Sequence, residues 1–318
     1  ELVRGEFTRE DVMHTLDLFS EIKLGKGVIS CADTPGFLAN RVGVFAIQCA
    51  LHTAFKLGLS PTEADAFFGR PLGLPKTGVF GLYDLIGIDL MADVVKSLVN
   101  ILPENDAFHQ FSAPIELMTS MIAKGQTGNK NNKGFYKDDG EEKQVINLQN
   151  GQYTNYERLK SSLLEESERE GVKVLLKDPG AIGSFIWQVL SETLCYAASL
   201  VPDVTDNLTQ IDDAMKLGYN WVKGPFELLD EIGVSYFIDR LQKEDREIPS
   251  FLTQGLINGF YVGVKSGLSA ITSNGNLLPI TRSKGVLRFS EICQTLNPIN
   301  SNVSASWYEY EGAAIVEF

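Results

Sequence analysis

The spacing of apolar residues changes period along the chain, and each change marks an element. Residues 27–31, Gly-Val-Ile-Ser-Cys, form a short β-branched run bounded by glycine, which predicts a buried strand. Upstream, Val12, Leu16, Phe19 and Ile22 recur at helical spacing behind Thr8, a good N-cap with Asp11 three residues on, before Gly25 and Gly27 end the run. With Glu1-Leu2-Val3 this reads as strand, helix, strand: the last βαβ-like unit of a parallel sheet. From Gly36 to Ile122 the pattern is helical. Val42, Phe45, Leu51 and Phe55 mark the buried face of a helix over 36–57, in which Cys49, Ala50 and Ala54 allow close packing. Ser60-Pro61-Thr62-Glu63 starts a further helix with proline at its first position, and Gly78 to Gly87 holds a short one.

Between strand and long helix lies Asp33-Thr34-Pro35-Gly36-Phe37-Leu38-Ala39-Asn40-Arg41. Pro35 fixes its own φ and drives Thr34 out of helical geometry, so the chain turns sharply and sets Asn40 near the helix start, at the seam of two domains. Two roles are open to Asn40: an amide touching a ligand at the seam, or, with Arg41, a cap or solvated helix end.

Further on, Lys124 to Lys137 is a glycine- and lysine-rich loop running into Phe135-Tyr136, which reads as a solvated turn with an aromatic anchor. Val145 to Tyr153 alternates around Asn150-Gly151, a hairpin signal, and a charged helix over 156–170 leads into the second half of the chain. There the pattern returns. Gly224-Pro225-Phe226-Glu227-Leu228-Leu229-Asp230-Glu231-Ile232-Gly233 repeats Gly78 to Gly87, and Asp84 to Asp230 and Gly87 to Gly233 are both 146 residues apart. Ile211 to Gly218 answers Ala64 to Gly69, Phe185 to Leu200 answers the first long helix, Gly259-Phe260-Tyr261 echoes Gly134-Phe135-Tyr136, and Ser273-Asn274-Gly275-Asn276 supplies a second hairpin turn. Two copies imply a packed pair, since a solenoid needs more repeats to cap itself.

Composition narrows the class. At 318 residues the chain has room for two or three domains, and no apolar run reaches membrane-spanning length. A formal charge of −13 argues against a nucleic-acid partner, because a phosphate backbone needs a basic face. Cys31, Cys49, Cys195 and Cys293 are far apart in apolar contexts with no histidine at metal spacing, so they read as buried thiols rather than a metal site. A cytoplasmic location is the default expectation.

The junction at 33–41, the segment at 78–87 with its fuller copy Met215-Lys216-Leu217-Gly218 and Gly224-Pro225-Phe226, and Gly-Asn-Lys-x-x-x-Gly-Phe-Tyr at 128–136 together resemble the C-terminal part of 3-hydroxyacyl-CoA dehydrogenases. The tandem copy, followed by Ser304 to Phe318, is similar to bacterial multifunctional fatty-acid oxidation proteins, in which an enoyl-CoA hydratase domain comes after the two helical domains.

The resemblance implies oxidation of 3-hydroxyacyl-CoA to 3-oxoacyl-CoA in β-oxidation, with NAD as cofactor and a thiolase as a possible partner. It assigns roles residue by residue. Glu1 aligns with the carboxylate that orients the family's catalytic histidine, though as first residue it can equally be a frayed end. Asn40 aligns with the amide that holds the oxygen on the reacting carbon, with Phe37 beside it at the substrate. Lys130 aligns with the lysine that reaches toward NAD. The histidine's own motif, His-Phe-Phe-Asn-Pro, and Gly-x-Gly-x-x-Gly do not occur in the sequence, and His14, His52 and His109 read as helix-surface or satisfied core residues. In the second copy the position answering Asn40 is Ser184 or Ile186, depending on the alignment, and neither carries an amide.

The expected architecture is mainly α: two duplicated helical dehydrogenase C-terminal domains with small β-hairpins, facing one another as an intramolecular pseudo-dimer, with a remnant of a Rossmann domain in front. The expected boundaries are 1–32 for the end of the NAD-binding domain, 33–140 for the first helical copy, 141–178 for hairpin and connector helix, 179–300 for the second copy and 301–318 for the start of a hydratase domain. Both ends read as cuts through a longer protein. The competing class is a non-catalytic helical module for dimerisation or acyl binding.

Overall fold

The computed structural model describes residues 1–138, 140, 142–264, 267–282, 287–293, 296–302 and 304–317. The first unit is β1 (Leu2–Val3), α1 (Glu10–Leu18) and β2 (Ser30–Cys31), with the two strands parallel and Leu2 opposite Ser30. The βαβ order matches the sequence pattern, but two details differ. The strand is two residues rather than five. Arg9, not Thr8, is the N-cap, without a side-chain hydrogen bond. The apolar stripe of α1 and of the turn that follows it is uncovered: Val12 is 39% exposed, Leu16 42%, Phe19 50% and Ile22 61%.

The first copy comprises α2 (Ala39–Leu57), α3 (Pro61–Phe67), α4 (Gly78–Ile86), α5 (Ile88–Ile101) and α6 (Glu116–Ala123), followed by β3 (Tyr136–Asp138), β4 (Lys143–Ile146) and β5 (Tyr153–Asn155). The hairpin about Asn150-Gly151 is present, with Ile146 opposite Tyr153, and β3 extends it to a three-stranded antiparallel sheet. That sheet straddles the expected boundary at 140. Ser60 and Glu63 form a reciprocal capping box at α3, with Pro61 in its first turn. The connector is shorter than the charge pattern predicts: α7 (Ser162–Glu170) begins six residues later than expected, and α8 (Val172–Lys177) continues it after Gly171.

The second copy repeats the order with α9 (Ala181–Ser199), α10 (Leu208–Tyr219), α11 (Pro225–Ile232), α12 (Val234–Lys243) and a sheet of β6 (Tyr261–Val264), β7 (Gly267–Ile271) and β8 (Leu277–Pro279). Beyond it lie α13 (Phe289–Ile292) and a meander of β9 (Asn300–Ser301), β10 (Ser306–Tyr310) and β11 (Ala313–Glu317). The final strand pairs with β10, Trp307 facing Val316, so its partner comes before it in the chain. Phe318 lies outside the described residues.

A pair of aspartates, one buried and one half-buried, fixes each copy. Asp65 accepts the Phe80 N–H at 2.7 Å, the Gly81 N–H at 2.9 Å and the Tyr136 hydroxyl at 2.8 Å. Asp212 accepts from Phe226 at 2.9 Å, Glu227 at 3.1 Å and Tyr261 at 2.8 Å. Each satisfies amides at the start of the next α-helix in its copy, which otherwise lack partners. Asp84 and Asp230 then accept the N–H groups of Phe135 and Tyr136, and of Phe260 and Tyr261. This is why Gly-Phe-Tyr recurs: the tyrosine reaches the first aspartate, its backbone the second, and the phenylalanine fills the core.

The long helices α2 and α9 lie side by side. Phe45 stacks on Tyr196 with ring centroids 4.1 Å apart, and the Cys49 thiol lies 3.9 Å from the Gln188 carbonyl. Residue numbers rise along one helix as they fall along the other, so the pair is antiparallel, the arrangement a two-fold axis perpendicular to the helices produces. The buried Arg41 joins the copies: its Nε donates to the Tyr196 hydroxyl at 2.7 Å, its guanidinium pairs with Asp106, and Tyr196 donates to Asp106 at 3.0 Å. Arg41 is therefore neither a cap nor solvated.

Candidate active site at the seam

Helix α2 starts at Ala39, three residues later than the pattern predicts, because Gly36 and Phe37 both adopt positive φ, 76° and 51°. A left-handed phenylalanine is uncommon and carries strain. The turn is closed by the Phe37 N–H on the Thr34 carbonyl at 2.9 Å, and the Phe37 side chain is left 38% exposed at the seam.

The start of α2 has no side-chain cap of its own. Glu1 supplies it from beside β1: its Oε1 accepts the N–H of Leu38 and of Ala39, both at 2.8 Å. A carboxylate there satisfies two orphan amides and faces the positive end of the helix dipole. Glu1 is thus tied to the junction rather than frayed. The Cys31 thiol lies 3.8 Å from the same oxygen, and burial, with the Glu1 charge adding to it, pushes that thiol up to about 11.

Asn40 does not cap the helix. It lies in the first turn, exposed, and its Oδ1 accepts the hydroxyl of Tyr219, the last residue of α10, at 3.1 Å. The Tyr219 ring lies on the face of α2: a Cβ added to Gly43 would fall 2.1 Å from its Cζ. Leu217, from the same helix end, covers Gly27 in the same way, at 2.4 Å. Burial, and secondarily the Glu1 charge, push the Tyr219 phenol up to about 12, so it is a proton donor at neutral pH. Glu1, Asn40 and Tyr219 therefore converge at one helix start.

Lys130 is elsewhere. Its ammonium lies 2.8 Å from both oxygens of Asp89 at the start of α5, and it holds the Asp89 carboxyl below its ordinary range. Leu98, further along α5, packs against Gly36. The nine residues from Asp89 to Leu98 represent roughly 14 Å of helix rise, so the structure brings Glu1, Phe37 and Asn40 to one turn and leaves Lys130 most of a helix length away. Its side chain is 50% exposed and open to an anion arriving from outside.

The histidines take no part. His14 is exposed on α1, burial lowers the pKa of His52, and the His109 ring nitrogen lies 2.8 Å from the Pro103 carbonyl. The Ser184 hydroxyl turns back on the Gly180 carbonyl at 3.0 Å, a local contact at the start of α9.

Sequence reasoning overlooked Tyr219, whose partner lies 179 residues away. One signal was present. Gly43 interrupts the interior of an otherwise strong helix, where glycine costs about 1 kcal/mol relative to alanine, and such a glycine implies that something approaches the backbone closely.

The sequence pattern of the family described as 3-hydroxyacyl-CoA dehydrogenase, C-terminal domain, matches residues 36–138. A Rickettsia prowazekii protein named as a fatty acid oxidation complex trifunctional enzyme is 39% identical over 233 residues, covering 72% of this chain and 32% of that protein. A Bacillus subtilis protein named as a 3-hydroxyacyl-CoA dehydrogenase is 29% identical over 330 aligned positions, covering all of this chain and 41% of the relative. The chain thus spans well under half the length of these curated relatives. Among solved structures, 3-hydroxybutyryl-CoA dehydrogenase from Escherichia coli K12 superposes with a TM-score of 0.57 at 19% identity, over 80% of this chain and 66% of that one, a likeness of fold.

Proposed function

The chain belongs to the 3-hydroxyacyl-CoA dehydrogenase family, and from that premise we propose that it forms the helical part of an enzyme that oxidises 3-hydroxyacyl-CoA to 3-oxoacyl-CoA in fatty-acid β-oxidation. The family is generally NAD-dependent, and NAD is the cofactor we assign to the full polypeptide. When bound, NAD supplies the acceptor for the hydride that leaves carbon 3.

The residues of this chain take the remaining tasks. The Asn40 amide donates to the oxygen on carbon 3, where charge develops as the hydroxyl proton departs. The second oxygen of the Glu1 carboxylate orients a histidine base contributed from outside residues 1–318. Phe37 lies against the acyl thioester end of the substrate, and Lys130 offers a point charge to the cofactor. The observation that carries this reading is the convergence of Glu1 and Asn40 at the start of α2, at the seam between the strand–helix–strand unit and the first helical copy.

A non-catalytic module has need of the α2–α9 contact and none of a solvent-facing amide held by a tyrosine. The test is turnover by the full-length polypeptide carrying Asn40→Ala, with 3-hydroxyacyl-CoA and NAD and the absorbance of the reduced cofactor as readout. Undiminished turnover would remove Asn40 from the mechanism. The dehydrogenase and hydratase neighbours in the parent, a thiolase partner, and a cytoplasmic setting belong to the same proposal. Among the described residues no helix is long and apolar enough to cross a membrane.

A further inference from the structure

The second helical copy has no amide of its own at the position answering Asn40, yet it closes the seam of the first. Asp65 and Asp212, the matching cradle residues, are 147 residues apart and by that offset Tyr219 answers Leu72, whereas the match of Gly218 to Gly69 sets it against Arg70; neither residue of the first copy carries a hydroxyl. The two copies have therefore diverged in opposite senses: one retains the amide, the other carries the hydroxyl that meets it.

We infer that Tyr219 is a positioning residue for Asn40, its hydroxyl donating to Oδ1 so that an N–H of Nδ2, and not the amide oxygen, faces the reacting oxygen. This rests on the dehydrogenase reading above and extends it across the copies. An exposed asparagine side chain samples both amide orientations, and only one of them offers a donor to the substrate. The flipped amide presents its carbonyl oxygen to a developing oxyanion, and the two repel. Fixing Oδ1 on a hydroxyl removes the wrong orientation before substrate arrives, which is preorganisation. The ring is held for this purpose by its seat on Gly43, where any side chain would displace it, and by Leu217 two residues earlier packing on Gly27. Glu1 binds the backbone one residue before Asn40, so the helix start and the amide are set by separate contacts.

The test uses Tyr219→Phe in the full-length enzyme, which deletes the hydroxyl and keeps the ring on Gly43. A neutral hydrogen bond of this kind corresponds to roughly a 3- to 10-fold fall in kcat, with the KM for NAD unchanged. In an Asn40→Ala background the same substitution should have no further effect, because there is no amide left to orient. Gly43→Ala, which moves the ring by filling its seat, should reproduce the fall and the same dependence on Asn40. In the 318-residue chain uniformly labelled with 15N, the Asn40 side-chain amide resonance should shift in Tyr219→Phe while the backbone amides of α2 stay in place. If Asn40→Ala lowers turnover and Tyr219→Phe does not, or if the two effects simply add, the positioning role is overturned and the dehydrogenase reading survives. If Asn40→Ala leaves turnover intact, the underlying reading fails first. An unmoved Asn40 resonance in Tyr219→Phe overturns the contact itself.

Discussion

Tyr136 donates its hydroxyl to Asp65 at 2.8 Å, and Tyr261 makes the same bond to Asp212 at the same distance in the second copy. Burial pushes the Asp65 carboxyl up to about 7 and that of Asp212 up to about 8, against the downward pull of the donors each accepts. A carboxyl whose folded pKa lies above the unfolded value of about 3.9 binds more protons when folded. Its stabilising contribution is complete below that unfolded value and is lost as pH rises through the folded one. His52, lowered from 6.5 by burial, acts in the opposite sense below its ordinary value, so the clean window is roughly pH 6.5 to 8.5. The melting temperature should fall across that window, and Asp212→Asn should flatten the slope. Calorimetry at several pH values decides it: a midpoint that climbs steadily across the same window contradicts the prediction.

Asn40→Ala separates chemistry from folding. Losing one donor that acts mainly in the transition state should lower kcat roughly 10- to 1,000-fold in the full-length enzyme. The melting temperature should barely move, since the side chain is exposed and its hydrogen bond is to the Tyr219 hydroxyl. Ser184→Ala in the second copy serves as the control and should leave turnover nearly intact. A lowered midpoint with full turnover would make Asn40 a structural residue.

Arg41→Ala should have the reverse profile. The Arg41 and Asp106 side chains are 9% and 8% exposed, and removing the guanidinium leaves a buried carboxylate without its cation. Breaking such a pair costs about 3–5 kcal/mol. Denaturant titration should show that loss, and a change below about 1 kcal/mol would mean the pair is solvated in solution.

Gly224→Ala should be among the most damaging single changes in the second copy. The new Cβ would lie 2.2 Å from the Cβ of Asp212, inside the cradle that starts α11, and overpacking at a fixed backbone costs on the order of 3 kcal/mol. Gly218→Ala, whose Cβ would meet only Ala39 at 3.5 Å, is the matched control and should be nearly neutral. Soluble yield and midpoint measured side by side would show the contrast, and equal behaviour of the two variants would refute the crowding argument.

What the sequence made legible was local. The Ser60-Pro61-Thr62-Glu63 cap, the Asn150-Gly151 hairpin and the repeated Gly-Phe-Tyr all depend on neighbours within a few residues or on spacing that a repeat preserves. The exposure of the α1 stripe was not legible, because periodicity reports which face is apolar and not whether anything covers it. The start of α2 was placed early because Phe37 adopts a conformation that its residue type disfavours. At the seam, alignment pointed to Glu1 and Asn40, while the roles of Tyr219, Tyr196 and Asp106 stayed hidden. Each of those depends on a partner 65 to 179 residues away, which no local pattern encodes.

The antiparallel packing of α2 on α9 within one chain has a consequence for how this molecule responds to dilution and to mutation. Two separate subunits that met through these helices would dissociate as concentration fell, and any substitution would be present on both sides of the axis at once. Here the connector of α7 and α8 holds the halves at an effective concentration set by its own reach, so their association is first order and their unfolding midpoint independent of protein concentration. Each side of the contact is also encoded separately. A codon change in α9 or α10 leaves α2 and α3 untouched, which lets one half lose an amide and supply a phenol while the other keeps its chemistry.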